Sequence, residues 1–215
     1  MKKKCVKYSL SEIDAESKKA ARGCGFSWGH AEEIGKAVRW LAAHKLPGVM
    51  LLADYLTQRD QDVARYQQLI EADQRIQSGS DNGILCPLLT GSYICDSGIE
   101  SVKKTVRFNS LAYPLLLLPY VARLTLDSEN ALLLRWNSVS FYCDAGKLMW
   151  IDKGSVTSPV AGNVICESTP SLSKGKLPGN KGQSIDEQSW QKLTTLSHRI
   201  YVPASEASRK GAGPS

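Results

Sequence analysis

The tightest constraint on this chain is a change in its apolar period. Up to about residue 57 the apolar side chains recur every three or four positions; after Asp127 they recur every second position. The first spacing lines one face of a helix, and the second lines one face of a strand. Helices followed by a sheet define an α+β chain. We expect an N-terminal helical segment, a buried central helix and a mostly antiparallel sheet. The 215 residues are 42% hydrophobic. A chain of that size buries enough surface to form a core without metal or disulfide. One α+β domain is expected over 1–215.

Local signals place the elements. Ser9 and Glu12 have the spacing of a capping box, and Leu10, Ile13, Ser17, Ala20 and Ala21 form a helical stripe. Gly23 and Gly25 end that helix, and Ser27 caps a second one running to about 44. Its stripe is Ala31, Ile34, Gly35, Val38, Leu41 and Ala42. A third helix is expected over 49 to about 57. Val63, Tyr66, Leu69 and Ile70 extend helical spacing through a polar stretch, so 58–77 reads as an exposed helix or a helical excursion. The helical part thus covers about 9–77 and the sheet part about 84–168. Short strands are expected at 88–89, 93–95 and 102–108. The apolar segment 111–125 reads as the central helix, with Pro114 in its first turn and a kink or late start at Pro119. Strands follow at 131–136, 139–143, 147–151 and 163–167, with turns at Asn137-Ser138 and Asp144-Ala145-Gly146. Residues 168–185 read as a flexible loop, 186–196 as a short helix, and 205–215 as a polar tail.

The net charge of +6 is unevenly spread. It is positive over 1–45, where Lys2, Lys3, Lys4 and Lys7 cluster, and negative over 46–100. A nucleic-acid binder gathers its cations on one face. Here the charge predicts solubility, and a nucleic-acid role ranks last. Residues 111–122 are shorter than the roughly 20 apolar residues a membrane span needs. No apolar stretch follows the basic start, so export is not expected. Cys5, Cys24, Cys86, Cys95, Cys143 and Cys166 show no C-x-x-C spacing and read as free thiols of a cytoplasmic protein.

Several separated patches resemble a bacterial family classed as a domain of unknown function. They are Leu10-Ser11-Glu12, Lys19-Ala20-Ala21-Arg22-Gly23, Ser27-Trp28-Gly29, Ala31-Glu32-Glu33 and Arg39-Trp40-Leu41-Ala42-Ala43. Further along come Cys86-Pro87-Leu88-Leu89-Thr90-Gly91, Leu115-Leu116-Leu117-Leu118-Pro119 and Val202-Pro203-Ala204-Ser205-Glu206-Ala207-Ser208-Arg209. The resemblance implies no activity and no functional residue.

The stretch with most chemical interest is Gly23-Cys24-Gly25-Phe26-Ser27-Trp28-Gly29-His30. Its glycines would let a ligand approach the backbone, and it leads into a helix N-terminus that favours anions. There Cys24 could act as a nucleophile of lowered pKa with His30 as acid–base partner. The competing reading is a glycine stop, a turn and a capped helix. In the tail, Arg209 offers a fork for a carboxylate or phosphate. Candidate ligand-binding residues are therefore Gly23, Cys24, Gly25, Ser27, His30 and Arg209. No metal site or cofactor is expected: His30 with Glu33 supplies only two ligands, and neither a phosphate-binding glycine loop nor a nucleophile elbow occurs. The leading expectation is a non-catalytic small-molecule binder or accessory subunit with a protein partner or a second copy. The alternative is an enzyme for a small anionic metabolite working through 23–30.

Overall fold

The computed structural model describes residues 4–66, 69–72, 75–78, 83–102, 105–126, 128–171, 175–177 and 179–201. Helix α1 (Leu10–Gly23) starts at the Ser9–Glu12 capping box: Ser9 Oγ accepts the Glu12 N–H, and the Glu12 carboxylate accepts the Ser9 N–H. Helix α2 (Trp28–Ala43) is capped by Ser27, and α3 (Gly48–Gln61) follows a turn at Lys45. Helix α6 (Glu187–Ser197) returns to pack against α1 and α3. It is pinned by Ser197 Oγ donating to the buried Glu16 carboxylate and by Arg199 gripping Asp60 with both terminal guanidinium nitrogens. Strands β1 (Cys5–Tyr8) and β9 (Gln183–Asp186) pair antiparallel beside this helical group, with Tyr8 stacked on Trp190 at 3.7 Å.

The main sheet has the order β2-β3-β4-β8-β5-β6-β7. Its members are β2 (Leu69–Ala72), β3 (Arg75–Ser78), β4 (Val106–Ala112), β5 (Ala131–Trp136), β6 (Val139–Asp144), β7 (Lys147–Lys153) and β8 (Val160–Thr169). Every pairing is antiparallel except β3 with β4. The period-two pattern does what the sequence suggests. Leu132, Leu134 and Trp136 of β5 are buried, while Arg135 faces out. Asn137, Ala145 and Gly146 take the positive φ that tight hairpins require. Between helices and sheet lie α4 (Pro87–Ser97) and α5 (Leu118–Leu124), with Leu115, Leu117, Leu118 and Val121 wholly buried.

Four expectations are corrected. Of the helix expected over 58–77 only 58–61 is helical, as the end of α3, and the described residues beyond it include a 3-10 turn (Ala64–Tyr66) and the β2–β3 hairpin. The free edge of β4 offers backbone partners to β3, and that tertiary opportunity outweighs a weak helical spacing. The strands expected at 88–89 and 93–95 are turns of α4. Cys86 caps it, Sγ accepting the Leu89 N–H at 3.4 Å, and Pro87 sits where a helix tolerates proline. Because α4 is covered on several sides, its composition lacks an amphipathic stripe. The central helix does not begin at 111: Leu111 and Ala112 pair with Ala161 and Val160, Tyr113 turns the chain at φ 39°, and Pro114–Leu117 is a 3-10 turn before α5. The late start at Pro119 stands. Finally, β9 begins inside the stretch expected as loop, and β1 forms where no strand is expected. The tail from residue 202, Arg209 included, lies outside the described residues. Among the described residues, no helix is long and apolar enough to cross a membrane.

Candidate functional site

The 23–30 stretch is built mainly by packing. A methyl group on Gly23 would stand 2.0 Å from the Leu196 carbonyl oxygen, so this glycine exists to let α1 meet α6. Gly25 adopts φ +87° and bears on open space. Cys24 is buried and caps α1. Its carbonyl accepts Arg59 Nη1 at 2.8 Å, and the Arg59 guanidinium lies 4.3 Å over the Phe26 ring. Burial, seconded by the charge of Asp60, pushes the Cys24 thiol up to about 11 against the pull of Arg199 and Arg59. That direction is opposite to the one a nucleophile needs. Ser27 Oγ accepts the His30 N–H at 3.2 Å and lies 3.0 Å from His30 Nδ1. The imidazole is thus engaged with the cap, and Glu33 is turned elsewhere.

Glu33 belongs to a different place. Its two carboxylate oxygens accept Ser92 Oγ of α4 at 2.8 Å and Arg123 Nη1 of α5 at 3.1 Å. Together with Lys36, Ala37 and Trp40 it forms a second stripe on α2, spaced i, i+3, i+4 and i+7. Facing it are Pro119, Ala122 and Arg123 of α5, with Leu126 and Gly146 closing one end. Between them is a cleft of about 340 Å³. Gly91 lets α5 seat there: a methyl group at 91 would come 2.4 Å from the Tyr120 ring. The α2 stripe expected from the sequence is the one that enters the core, and this one is not among the expected sites. Trp40 and Lys36 on this second stripe are the available signal.

Trp40 is fixed from behind by His44, whose ring centre is 3.7 Å from the indole and whose Nδ1–H donates to the Trp40 carbonyl at 2.9 Å. His44 Nε2 is buried without a partner. Burial lowers the His44 pKa below its usual 6.5, against the raising effect of the Trp40 carbonyl. The folded protein therefore binds this proton less readily than the unfolded chain. The stability it contributes is full above the unfolded pKa and is lost as pH falls through the folded value. Melting temperature should fall between pH 7.5 and 5.5, and His44→Gln should flatten that slope when both proteins are followed by circular dichroism.

Among the described residues, no three His, Cys, Asp or Glu side chains stand together as a metal site. Residues 8–84 match the model of a family described as "Protein of unknown function (DUF3726)". The resemblance to a family of unknown function stands over 8–84, and the patches at 86–91, 115–119 and 202–209 lie beyond the matched residues. The matched stretch carries the α2 wall of the cleft, and the α5 wall lies beyond it. The family description attaches no chemistry to either wall. No curated protein matches the chain. Among solved structures, the crystal structure of malate dehydrogenase from Entamoeba histolytica aligns with 95% of this chain and 72% of its own, at 12% identity and a TM-score of 0.43.

Proposed function

We propose that this protein is a non-catalytic small-molecule binder whose ligand occupies the cleft between α2 and α5. The observation that carries the reading is the cleft's composition. Its walls are apolar at Ala37, Trp40, Pro119, Ala122 and Leu126, and charged groups stand at Glu33, Lys36 and Arg123. Ligand sites of about 300–1,000 Å³ commonly combine apolar walls with a few placed polar groups. At about 340 Å³ this cleft suits a compact metabolite. The six free thiols support a reducing, cytoplasmic setting.

The test is a screen of a metabolite library by nuclear magnetic resonance. The chain holds five tryptophans, so the Trp40 indole N–H can be assigned by a Trp40→Phe variant. A bound metabolite should shift that signal together with the amides of α2 and α5, and Ala37→Leu should abolish the shift by filling the cleft. A library that leaves Trp40 unmoved overturns the reading.

A further inference from the structure

We infer that the ligand of the α2–α5 cleft is a flat, apolar monocarboxylate, its ring between Trp40 and α5 and its carboxylate between Lys36 and Arg123. This rests on the cleft being the ligand site. Three observations set the class. The first is shape. The opposing walls carry small or flat side chains, Ala37 and Trp40 on α2 against Pro119 and Ala122 on α5. His44, tilted 42° against Trp40 with ring centres 3.7 Å apart and bonded to its carbonyl, helps hold the indole in place. A slot between an indole and an alanine–proline wall suits a planar body, because a ring can lie offset on the indole face.

The second observation is charge. Both Glu33 oxygens are already committed, to Ser92 and to Arg123. Lys36 makes no ion pair among the described residues, and Arg123 uses a single nitrogen on Glu33, leaving its other donors open. Two cations and one carboxylate leave a single positive charge, which one carboxylate balances. A dianionic phosphate would bring its second charge against Glu33. The third observation is size: about 340 Å³ lies at the small end of ligand sites and suits a compact ligand.

The inference predicts an exchange at the rim. Arg123 divides its donors between Glu33 and the incoming carboxylate, so weakening the Glu33 claim should strengthen the ligand's. Glu33→Gln, which can still accept from Ser92, should therefore tighten carboxylate binding. A gain of affinity is not what damage to the fold produces.

The test uses the full chain and four probes: 2-naphthoate, its neutral analogue 2-naphthamide, acetate and 2-naphthyl phosphate. Binding is followed by titration of the Trp40 indole signal. Naphthoate should bind about tenfold more tightly than the amide, as a charge-assisted contact predicts. Acetate, lacking a ring, should not bind measurably, and the phosphate should be weaker than naphthoate. Lys36→Met should weaken naphthoate about threefold without changing the amide, and Glu33→Gln should tighten naphthoate about threefold. Equal affinities for naphthoate and the amide, or a preference for the phosphate, would overturn the carboxylate assignment and leave the cleft reading standing. So would failure of all four probes if a library compound still shifts Trp40. If nothing in the library shifts it, the cleft reading itself falls.

Discussion

Gly23→Ala is expected to lower stability by about 3 kcal/mol, a drop of about 6–12 °C in melting temperature for a chain of this size. The added methyl group would sit 2.0 Å from the Leu196 carbonyl oxygen and 3.0 Å from its carbon. Backbone atoms cannot rotate out of the way as a flexible side chain can. Either α1 unwinds its last turn or α6 shifts, and a shift of α6 strains the Ser197–Glu16 and Arg199–Asp60 contacts. Gly29→Ala is the control. It stands in the first turn of α2 with nothing within 4 Å, so alanine there should be neutral or stabilising by up to about 1 kcal/mol. Differential scanning calorimetry of the two variants separates the cases. A neutral Gly23→Ala would mean that α1 and α6 do not meet as closely as this geometry requires, and would reopen Gly23 as a ligand cradle.

That contrast shows where the sequence was legible. Capping is local chemistry, so Ser9, Glu12 and Ser27 announced their helices, and the alternation from Ala131 onward announced the sheet. The glycines of 23–30 were visible as glycines, but their purpose was not. Gly23 answers to Leu196, 173 positions away, and nothing in its neighbours' identities reports that contact. The same holds for Gly91 and Tyr120. Leu69 and Ile70 looked helical because a two-stranded hairpin depends on the edge of β4, which no local pattern contains. The cleft was hidden for a related reason. Its α2 half is one helix stripe, but its α5 half begins at Pro119, the second of two prolines in a segment whose apolar residues are nearly all buried. Only packing reveals which of them line the cleft.

The other large expected effect concerns Cys24. Alkylation by iodoacetamide at pH 7.5 should be at least about a hundredfold slower in the folded protein than in the urea-denatured chain, read peptide by peptide by mass spectrometry. The thiolate is the reactive form, and each unit of pKa above the working pH removes about nine-tenths of it. Cys24 moves from an ordinary 9.0 to about 11, chiefly because burial penalises its charged form and further because Asp60 lies near. Arg199 and Arg59 pull the other way without reversing it, since each already has a partner: Asp60 for the first, the Cys24 carbonyl for the second. Restricted access to a buried sulfur slows the reaction further. Cys5, exposed on β1, labels in both states and serves as the internal standard. Faster labelling of folded than of denatured Cys24 would restore the nucleophile and with it an enzyme acting through the 23–30 loop. Slower labelling leaves the charges of the α2–α5 cleft, which a ligand can reach, as the better place for anion recognition. Lys36 and Arg123 stand open to solvent there, whereas Arg59 beside Cys24 is buried.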